Sequence, residues 1–184
     1  MPRRSGSSPR EMLVILAGLP ASGKSTLARA IAGRLGGAVL DKDVIRRSLF
    51  ASPDDIEYSA EQDDFVMDAM LQTARYLIGK NPARVVFLDG RTFSQDYQRR
   101  RAIDFAAGVG AGWKLIECVC SEASARARLL EDERTGTHPA GNRTWELYER
   151  VRASFEAIRE TKIVIDTDEP LEHCVDAALG YLAI

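Results

Sequence analysis

The residues from Gly18 to Ser25 have the types and the spacing that bind phosphate groups. They read Gly-Leu-Pro-Ala-Ser-Gly-Lys-Ser and match the pattern G-x-x-x-x-G-K-[ST]. The glycines let the backbone curl until several N–H groups face the phosphates, and the dipole of the following helix adds to the attraction. Lys24 would reach the β- and γ-phosphates, and the Ser25 hydroxyl would bind Mg²⁺. The pattern therefore predicts a site for ATP and Mg²⁺ formed by Gly18, Ala21, Ser22, Gly23, Lys24, Ser25 and Thr26.

A carboxylate and a guanidinium follow three residues apart, at Asp43 and Arg46. Phosphoryl transfer to a hydroxyl needs a carboxylate within reach of the hydroxyl proton and a cation that holds a polar or anionic acceptor. Asp43 could be the general base of such a reaction, and Arg46 could bind the acceptor. Asp43 could instead cap the helix that begins here, since aspartate is a favoured N-cap residue. One residue could also fill both roles.

A further acid, Asp89, ends an apolar run that we predict to be a buried strand, and Gly90 and Arg91 follow it. An acid at the carboxyl end of such a strand could bind Mg²⁺ directly or through water. Asp89 could alternatively cap a turn with Gly90. Arg91 could grip the acceptor. We therefore predict a metal site at Ser25 and Asp89, and an acceptor site formed by Asp43, Arg46, Asp89 and Arg91.

Residues 131–144 are charged, contain Gly136, Pro139 and Gly141, and have no apolar periodicity. We predict a mobile lid that closes over the phosphates, excludes water and adds positive charge to the transition state. Four arginines flank or occupy this segment: Arg126, Arg128, Arg134 and Arg143. Arg134 is the predicted catalytic arginine because it lies inside the segment. Arg128 lies on the preceding predicted helix, where it either binds the nucleotide or belongs to a solvated face with ion pairs.

The elements that must position these residues alternate between short apolar runs and longer segments of helical period. Predicted strands span residues 12–17, 38–40, 84–89, 114–120 and 162–166. Because the runs are apolar throughout, we expect a parallel sheet of about five strands that helices cover on both faces. In such a sheet the carboxyl ends of the strands form one crevice, which is where the candidate residues would meet.

The composition is that of one domain, which we place at residues 11–184 after a disordered tail of residues 1–10 rich in Ser, Pro, Gly and Arg. The 25 basic and 27 acidic side chains nearly cancel, so no global field would recruit nucleic acid or a membrane. No apolar run approaches the length of about 20 residues that a membrane span needs. Three cysteines are too few for a disulfide framework, so we expect a reducing, cytoplasmic location.

The phosphate-binding motif followed by Asp43-x-x-Arg46 resembles the AAA_33-type kinases, which include the kinase domain of polynucleotide kinase, zeta-type toxins and chloramphenicol phosphotransferase. The resemblance is clearest over the first 50 residues and covers most of the chain by element order. It implies a P-loop NTPase fold of the nucleoside-kinase-like type, a three-layer α/β sandwich, with Asp43 as general base. Arg46 matches an arginine of polynucleotide kinases that chloramphenicol phosphotransferase lacks, so its role depends on the acceptor.

We therefore expect an ATP-dependent phosphotransferase that acts on a hydroxyl of a small molecule: an antibiotic, nucleoside, sugar or nucleotide-like acceptor. A kinase of nucleic acid 5′-hydroxyls is an alternative, which the near-neutral charge disfavours because long nucleic acid normally meets a basic stripe. A nucleotide-dependent switch or ATPase without acceptor is another. The sequence has no N-K-x-D motif for guanine, and a switch would leave Asp43 and Arg46 unexplained.

Overall fold

The computed structural model describes residues 12–81, 83–136 and 138–182, so the predicted tail lies outside the described residues. Its central sheet has five strands, all parallel, in the order β2-β3-β1-β4-β5. The strands are β1 (Met12–Ala17), β2 (Ala38–Asp41), β3 (Val85–Asp89), β4 (Gly112–Val119) and β5 (Lys162–Asp166). The parallel sheet of about five strands is therefore confirmed, with strand ends within two residues of the predicted ones.

Helices connect the strands and cover both faces of the sheet. They are α1 (Lys24–Leu35), α2 (Lys42–Leu49), α3 (Ala60–Lys80), α4 (Asp96–Gly108), α5 (Glu122–Thr135), α6 (Trp145–Ala153) and α7 (Leu171–Leu182), with a single 3₁₀ turn at Pro53–Asp55. Side chains of α1 and α7 share one apolar cluster with the sheet, and side chains of α3 and α4 share the other. This is the three-layer sandwich that the sequence predicts. Among the described residues, no helix is both long enough and apolar enough to cross a membrane.

The central strand β1 is buried on both faces, and its side chains divide between the two clusters. Leu13 and Ile15 belong to the cluster beneath α3 and α4, whereas Val14 and Leu16 belong to the cluster beneath α1 and α7. All four are fully buried. A slip of one residue would exchange the two faces, so this alternation sets the register of β1. The register in turn sets where the phosphate-binding loop leaves the sheet.

The loop after β1 depends on glycine at the point where it leaves the sheet. Gly18 has φ 141°, and a Cβ built there would lie 2.3 Å from the carbonyl oxygen of Cys118 in β4. Its N–H donates to the carbonyl oxygen of Thr92 at 3.0 Å. Both the dihedral angle and the close approach exclude a side chain at this position. The motif glycine therefore lets the loop lie directly on the neighbouring strands.

The predicted irregular segment at residues 131–144 is shorter in the structure. Helix α5 continues to Thr135 and ends at Gly136, which has φ 58° and donates its N–H to the carbonyl oxygen of Asp132. An ion pair between Arg134 and Glu131, one helical turn apart, lies on this last stretch. Good helix formers without a break thus extend the helix until a glycine stops it. The loop itself comprises residues 136–144, of which residue 137 is not described.

A buried ion pair joins α4 to the chain before β5. The side chain of Arg99 is 1% exposed, and its Nε lies 3.0 Å from Oε1 of Glu160. Its Nη1 donates to the carbonyl oxygen of Phe93 at 2.9 Å. Phe93 has φ 48°, an unfavourable angle for a side chain of this size, so Arg99 helps to hold the strained loop that carries Arg91.

We expect Arg99→Met to lower the free energy of unfolding by about 3 to 5 kcal/mol, because it leaves the Glu160 carboxylate and the Phe93 carbonyl without their buried partner. Arg100→Met is the matched control. Arg100 is 72% exposed and pairs with Asp96 at 2.6 Å, so its loss should cost less than about 1 kcal/mol. Urea denaturation followed by circular dichroism measures both variants. Equal stability of the two would show that the buried pair contributes no more than a surface pair.

Candidate active site

A cleft of about 400 Å³ lies at the carboxyl end of the sheet. Its walls are the phosphate-binding loop, the start of α2, the loop after β3 and residues 138–143. Of the predicted site residues, the cleft brings together Ala21, Ser22, Gly23, Lys24, Ser25, Thr26, Asp43, Arg46, Arg91 and Arg128. One cleft therefore contains most of the predicted nucleotide and acceptor residues, whereas Gly18 and Asp89 are not among the residues that line it.

Lys24 is folded back onto its own loop. Its Nζ donates to the carbonyl oxygens of Gly18 at 2.8 Å and Leu19 at 2.6 Å, and lies 3.2 Å from Oγ of Ser22. Burial lowers the pKa of Lys24 to about 8, although the nearby charge of Asp89 partly opposes this. An anionic phosphate in the cleft would favour the charged ammonium and would compete with these carbonyl oxygens.

Asp89 ends β3 beside Ser25 and is completely buried. Neither carboxylate oxygen has a hydrogen bond of normal geometry within the described part of the chain. Burial raises the pKa of Asp89, and this effect outweighs the nearby Ser25 hydroxyl and Lys24 ammonium. The Ser25 hydroxyl and the Gly90 N–H lie near enough to favour the charged carboxylate, but neither makes a well-formed hydrogen bond, and such weakly satisfied buried oxygens are costly unless a ligand completes them. A hydroxyl and a carboxylate in this arrangement suit Mg²⁺, which takes its remaining oxygen ligands from water and phosphate.

Helix α2 is capped by Asp41 and not by Asp43. The Asp41 carboxylate accepts hydrogen bonds from the backbone N–H of Asp43 at 2.9 Å and of Val44 at 3.3 Å. The Asp43 carboxylate thus has no capping duty and lines the cleft with its side chain 13% exposed. Burial raises the pKa of Asp43 to about 6, against the opposing charges of Lys42 and Arg46. A carboxylate with this pKa is well matched to proton transfer near neutral pH.

Arg46 is buried next to Asp43 on α2. Its guanidinium lies 3.7 Å from the Asp43 carboxylate and forms a close ion pair with Asp63 on α3. Lys42 reaches the same Asp63 carboxylate at 2.8 Å. The ring of Tyr58 lies against Arg46, with 5.2 Å from Cζ to the ring centroid. The Arg46 Nε is buried and has no hydrogen-bond partner among the residues described.

Arg91 supplies a second buried guanidinium to the cleft. Its Nη1 lies 3.0 Å from the Asp64 carboxylate, and its Nη2 lies 3.3 Å from the Tyr97 hydroxyl. Its Nε also lacks a partner in the described structure. Arg46 and Arg91 therefore share one arrangement, in which an acid on α3 holds one terminal nitrogen and Nε has no partner among the described residues.

Arg128 lines the cleft beside the phosphate-binding loop, although its side chain is 36% exposed and also lies 3.6 Å from the Asp168 carboxylate. It donates to the carbonyl oxygen of Ala21 at 3.1 Å and to both the hydroxyl and the carbonyl oxygen of Thr167, at 3.0 and 2.9 Å. The Thr167 hydroxyl in turn donates to the carbonyl oxygen of Ser22 at 3.0 Å. Arg128 and Thr167 thus brace the phosphate-binding loop. No motif in the sequence marks Thr167, which simply follows the last strand.

The two arginines of the predicted lid have different surroundings. Arg134 lies on the outer face of α5 with its side chain 72% exposed, and it bonds Glu131 at 2.8 and 2.6 Å. Of the described residues, those that line the cleft include Arg143 and not Arg134. Arg143 is 17% exposed and lies 3.0 Å from the Asp132 carboxylate. Because α5 extends through Arg134, the loop that returns over the cleft carries Arg143 instead.

Comparisons with known proteins agree with this arrangement. The adenosine-phosphosulfate (APS) kinase of Mycobacterium tuberculosis, in complex with AMPPNP and APS, has a TM-score of 0.69 and 20% identity, over 96% of this chain and 99% of that chain. A gluconokinase from Sinorhizobium meliloti has a TM-score of 0.66 and 20% identity, over 96% and 93%. These likenesses show the P-loop kinase fold.

A protein described as a UPF0200 protein, from Aeropyrum pernix, is 28% identical over 159 residues, which cover 80% of this chain and 76% of that protein. Residues 13–158 match the model of the family AAA_33, described as an AAA domain. This match spans most of the chain, from β1 to the segment before β5. The chain therefore belongs to the AAA_33 family and is a P-loop kinase-like domain.

Proposed function

We propose that this protein is an ATP- and Mg²⁺-dependent kinase that phosphorylates a hydroxyl of a small polar molecule. The observation that carries the proposal is the place of Asp43: a carboxylate with a pKa of about 6 lines the same cleft as Lys24 and Ser25. A switch or a simple ATPase has no need of a general base beside a bound acceptor. A kinase does, because the attacking hydroxyl must lose its proton.

The ATP phosphates would lie against the backbone N–H groups of the loop from Gly18 to Ser25, with Lys24 at the β- and γ-phosphates. The planar guanidinium of Arg128, held by Ala21 and Thr167, offers a surface on which a purine can stack. The neighbouring APS kinase was solved with AMPPNP, an adenine nucleotide analogue, which supports ATP as the donor.

Ser25 and Asp89 would hold Mg²⁺, which neutralises charge on the β- and γ-phosphate oxygens when bound. The unpaired, buried oxygens of Asp89 support this assignment. The other positive charges come from side chains of the protein. Lys24 and Arg143 bring positive charge to the oxygens of the transferring group, where the transition state spreads negative charge.

The transfer itself displaces ADP from the γ-phosphorus. The acceptor oxygen forms a bond to the γ-phosphorus while the bond from that phosphorus to the β–γ bridging oxygen breaks, and ADP leaves with the electron pair. The acceptor proton passes to the Asp43 carboxylate. Holding the hydroxyl in line with the bond that breaks is the larger part of the catalysis, since positioning removes an entropic cost from the reaction.

The acceptor we expect carries an anionic group near its hydroxyl. Arg46 and Arg91 are buried, and each keeps an unpaired Nε in the described structure. Both guanidiniums suit a carboxylate, phosphate or sulfate. A cleft of about 400 Å³ has the size of small-molecule sites. APS and gluconate, the molecules named for the two structural neighbours, are small anions of this kind.

Lys24→Ala should lower the kcat of phosphotransfer by at least about 10²-fold, which is the typical effect of losing one preorganised donor to the transition state. Radiolabelled ATP and a panel of sugars, sugar acids, nucleosides, nucleotides and antibiotics provide the assay. Lys80→Ala, at the exposed end of α3, is the matched control and should keep full activity. Phosphotransfer near the wild-type rate in Lys24→Ala would refute the phosphate-binding assignment.

Asp43→Asn should lower kcat by about 10²- to 10⁴-fold and leave the Kd for ATP nearly unchanged, because asparagine can align a hydroxyl but cannot take its proton. The wild-type rate should rise with pH up to about pH 6 and then level off, since the base must be deprotonated. Asp54→Asn, on the exposed 3₁₀ turn, is the control. An unchanged kcat would place the base elsewhere, and weakened ATP binding would move Asp43 to the magnesium site.

The same variant should be more stable than the wild type above pH 6. Folding raises the pKa of Asp43, so the folded state binds more protons than the unfolded state between about pH 4 and pH 6, and the wild type loses stability across that window. A shift of about two units corresponds to up to about 3 kcal/mol. Urea denaturation at pH 4 and pH 7 measures the difference, which should appear only at the higher pH.

Arg143→Met should lower kcat by about 10²-fold if Arg143 is the arginine that closes on the phosphates. Arg134→Met tests the arginine that the sequence favours, and its exposed pair with Glu131 gives no reason to expect a change in rate. Measuring both variants in the same assay decides between them. A loss of rate in Arg134→Met alone would show that the loop rearranges when nucleotide binds.

A further inference from the structure

Tyr58 contacts two parts of the site that are remote in sequence. Its hydroxyl accepts a hydrogen bond from the backbone N–H of Gly141 at 2.8 Å. Its ring lies against the guanidinium of Arg46, 5.2 Å from Cζ to the ring centroid. The first contact belongs to the loop after α5, and the second to the acceptor residues. Tyr58 therefore touches the loop and the acceptor site at once.

The backbone around Tyr58 is anchored to α3 independently of the loop. Gln62 is buried, accepts a hydrogen bond from the N–H of Glu57 at 2.8 Å and donates to the carbonyl oxygen of Asp55 at 2.9 Å. Ser59 caps α3 by accepting from the N–H of Gln62. The segment that leads into Tyr58 is thus tied to the first turn of α3. Tyr58 itself is 43% exposed, so its contacts with Arg46 and Gly141 are what fix the direction of its ring.

The loop meets this side of the cleft through few polar contacts in the described residues. Besides the Gly141 contact, the carbonyl oxygen of His138 accepts from Nη2 of Arg47 at 3.4 Å, a longer hydrogen bond. Gly141 has no side chain, and a Cβ there would lie 3.2 Å from the Tyr58 hydroxyl. Arg143 follows only two residues later and lines the cleft. The position of the Gly141 backbone therefore helps to set the position of Arg143.

We infer that Tyr58 is a positioning residue that couples closure of the loop at residues 138–144 to the acceptor site. Its hydroxyl holds the closed loop, and its ring holds Arg46, which pairs with the proposed base Asp43. The inference rests on the proposed function, in which Arg46 binds the acceptor and Arg143 acts on the phosphates. Since coupling is reciprocal, an acceptor that orders Arg46 also favours the closed loop. Water then has less access to the γ-phosphoryl group when the acceptor is in place.

Hydrogen exchange of residues 138–144 in the presence of Mg²⁺ and AMPPNP tests, without any acceptor, the half of the inference in which the Tyr58 hydroxyl holds the loop. Tyr58→Phe keeps the ring over Arg46 and removes the acceptor oxygen of the Gly141 hydrogen bond. Exchange across the loop should become faster by about fivefold, the effect of one neutral hydrogen bond. Tyr76→Phe, a change at an exposed tyrosine of α3, should leave exchange as in the wild type. Wild-type exchange in Tyr58→Phe would overturn the inference.

Tyr58→Leu separates the two contacts because it removes both the ring and the hydroxyl. Once an acceptor is known, Tyr58→Phe should lower kcat with an unchanged KM for the acceptor, and Tyr58→Leu should also raise that KM. If the role of Tyr58 is purely structural, the variants should lose thermal stability without this difference in which of kcat and KM changes. Equal effects of the two variants on kcat and KM would overturn the role of the ring. If no acceptor is ever phosphorylated, the proposed function fails, and the exchange measurement still decides whether Tyr58 holds the loop.

Discussion

The close approach of the phosphate-binding loop to the neighbouring strands is the constraint on which the site depends. Gly18 lies so near the carbonyl oxygen of Cys118 that no side chain fits between them, and its N–H bonds the carbonyl oxygen of Thr92. Thr167 and Arg128 hold the other side of the loop. Segments that follow β3, β4 and β5 thus converge on one turn of backbone. The N–H groups are oriented before any phosphate arrives, which is the purpose of such a loop.

Burial gives the cleft its electrostatic character. It raises the pKa of Asp43 and Asp89 and lowers that of Lys24, so each of these groups is less stable in its charged form than it would be in water. The Nε atoms of Arg46 and Arg91 are likewise buried, and they have no hydrogen-bond partner among the described residues. These groups reduce the stability of the fold, and a nucleotide with its metal and an acceptor would supply the missing partners. Stability given up at a site in this way is common where chemistry requires it.

The acceptor half of the cleft is built from long-range pairings rather than from one motif. An acid on α3 holds one terminal nitrogen of Arg46 and another holds one of Arg91, so the two guanidiniums are ordered before a ligand binds. The segment between α2 and α3 supplies Tyr58, which reaches the loop after α5. Ordering these groups beforehand reduces the entropy that binding must remove. The surroundings of the acceptor therefore depend on how α2, α3 and the loop pack together.

The sequence by itself determined the features that local spacing controls. The strand, the glycine-rich loop and the helix that carry Lys24 and Ser25 are contiguous, and the alternation of strands and helices predicted the sheet. Tertiary structure alone decided which of two nearby acids caps α2, because the choice of Asp41 over Asp43 depends on the residue at which the helix begins. It also decided that Arg143 and not Arg134 lines the cleft, since this depends on where α5 ends. The Tyr58 contacts join residues far apart in the chain, and no local pattern encodes a pairing that only packing brings about.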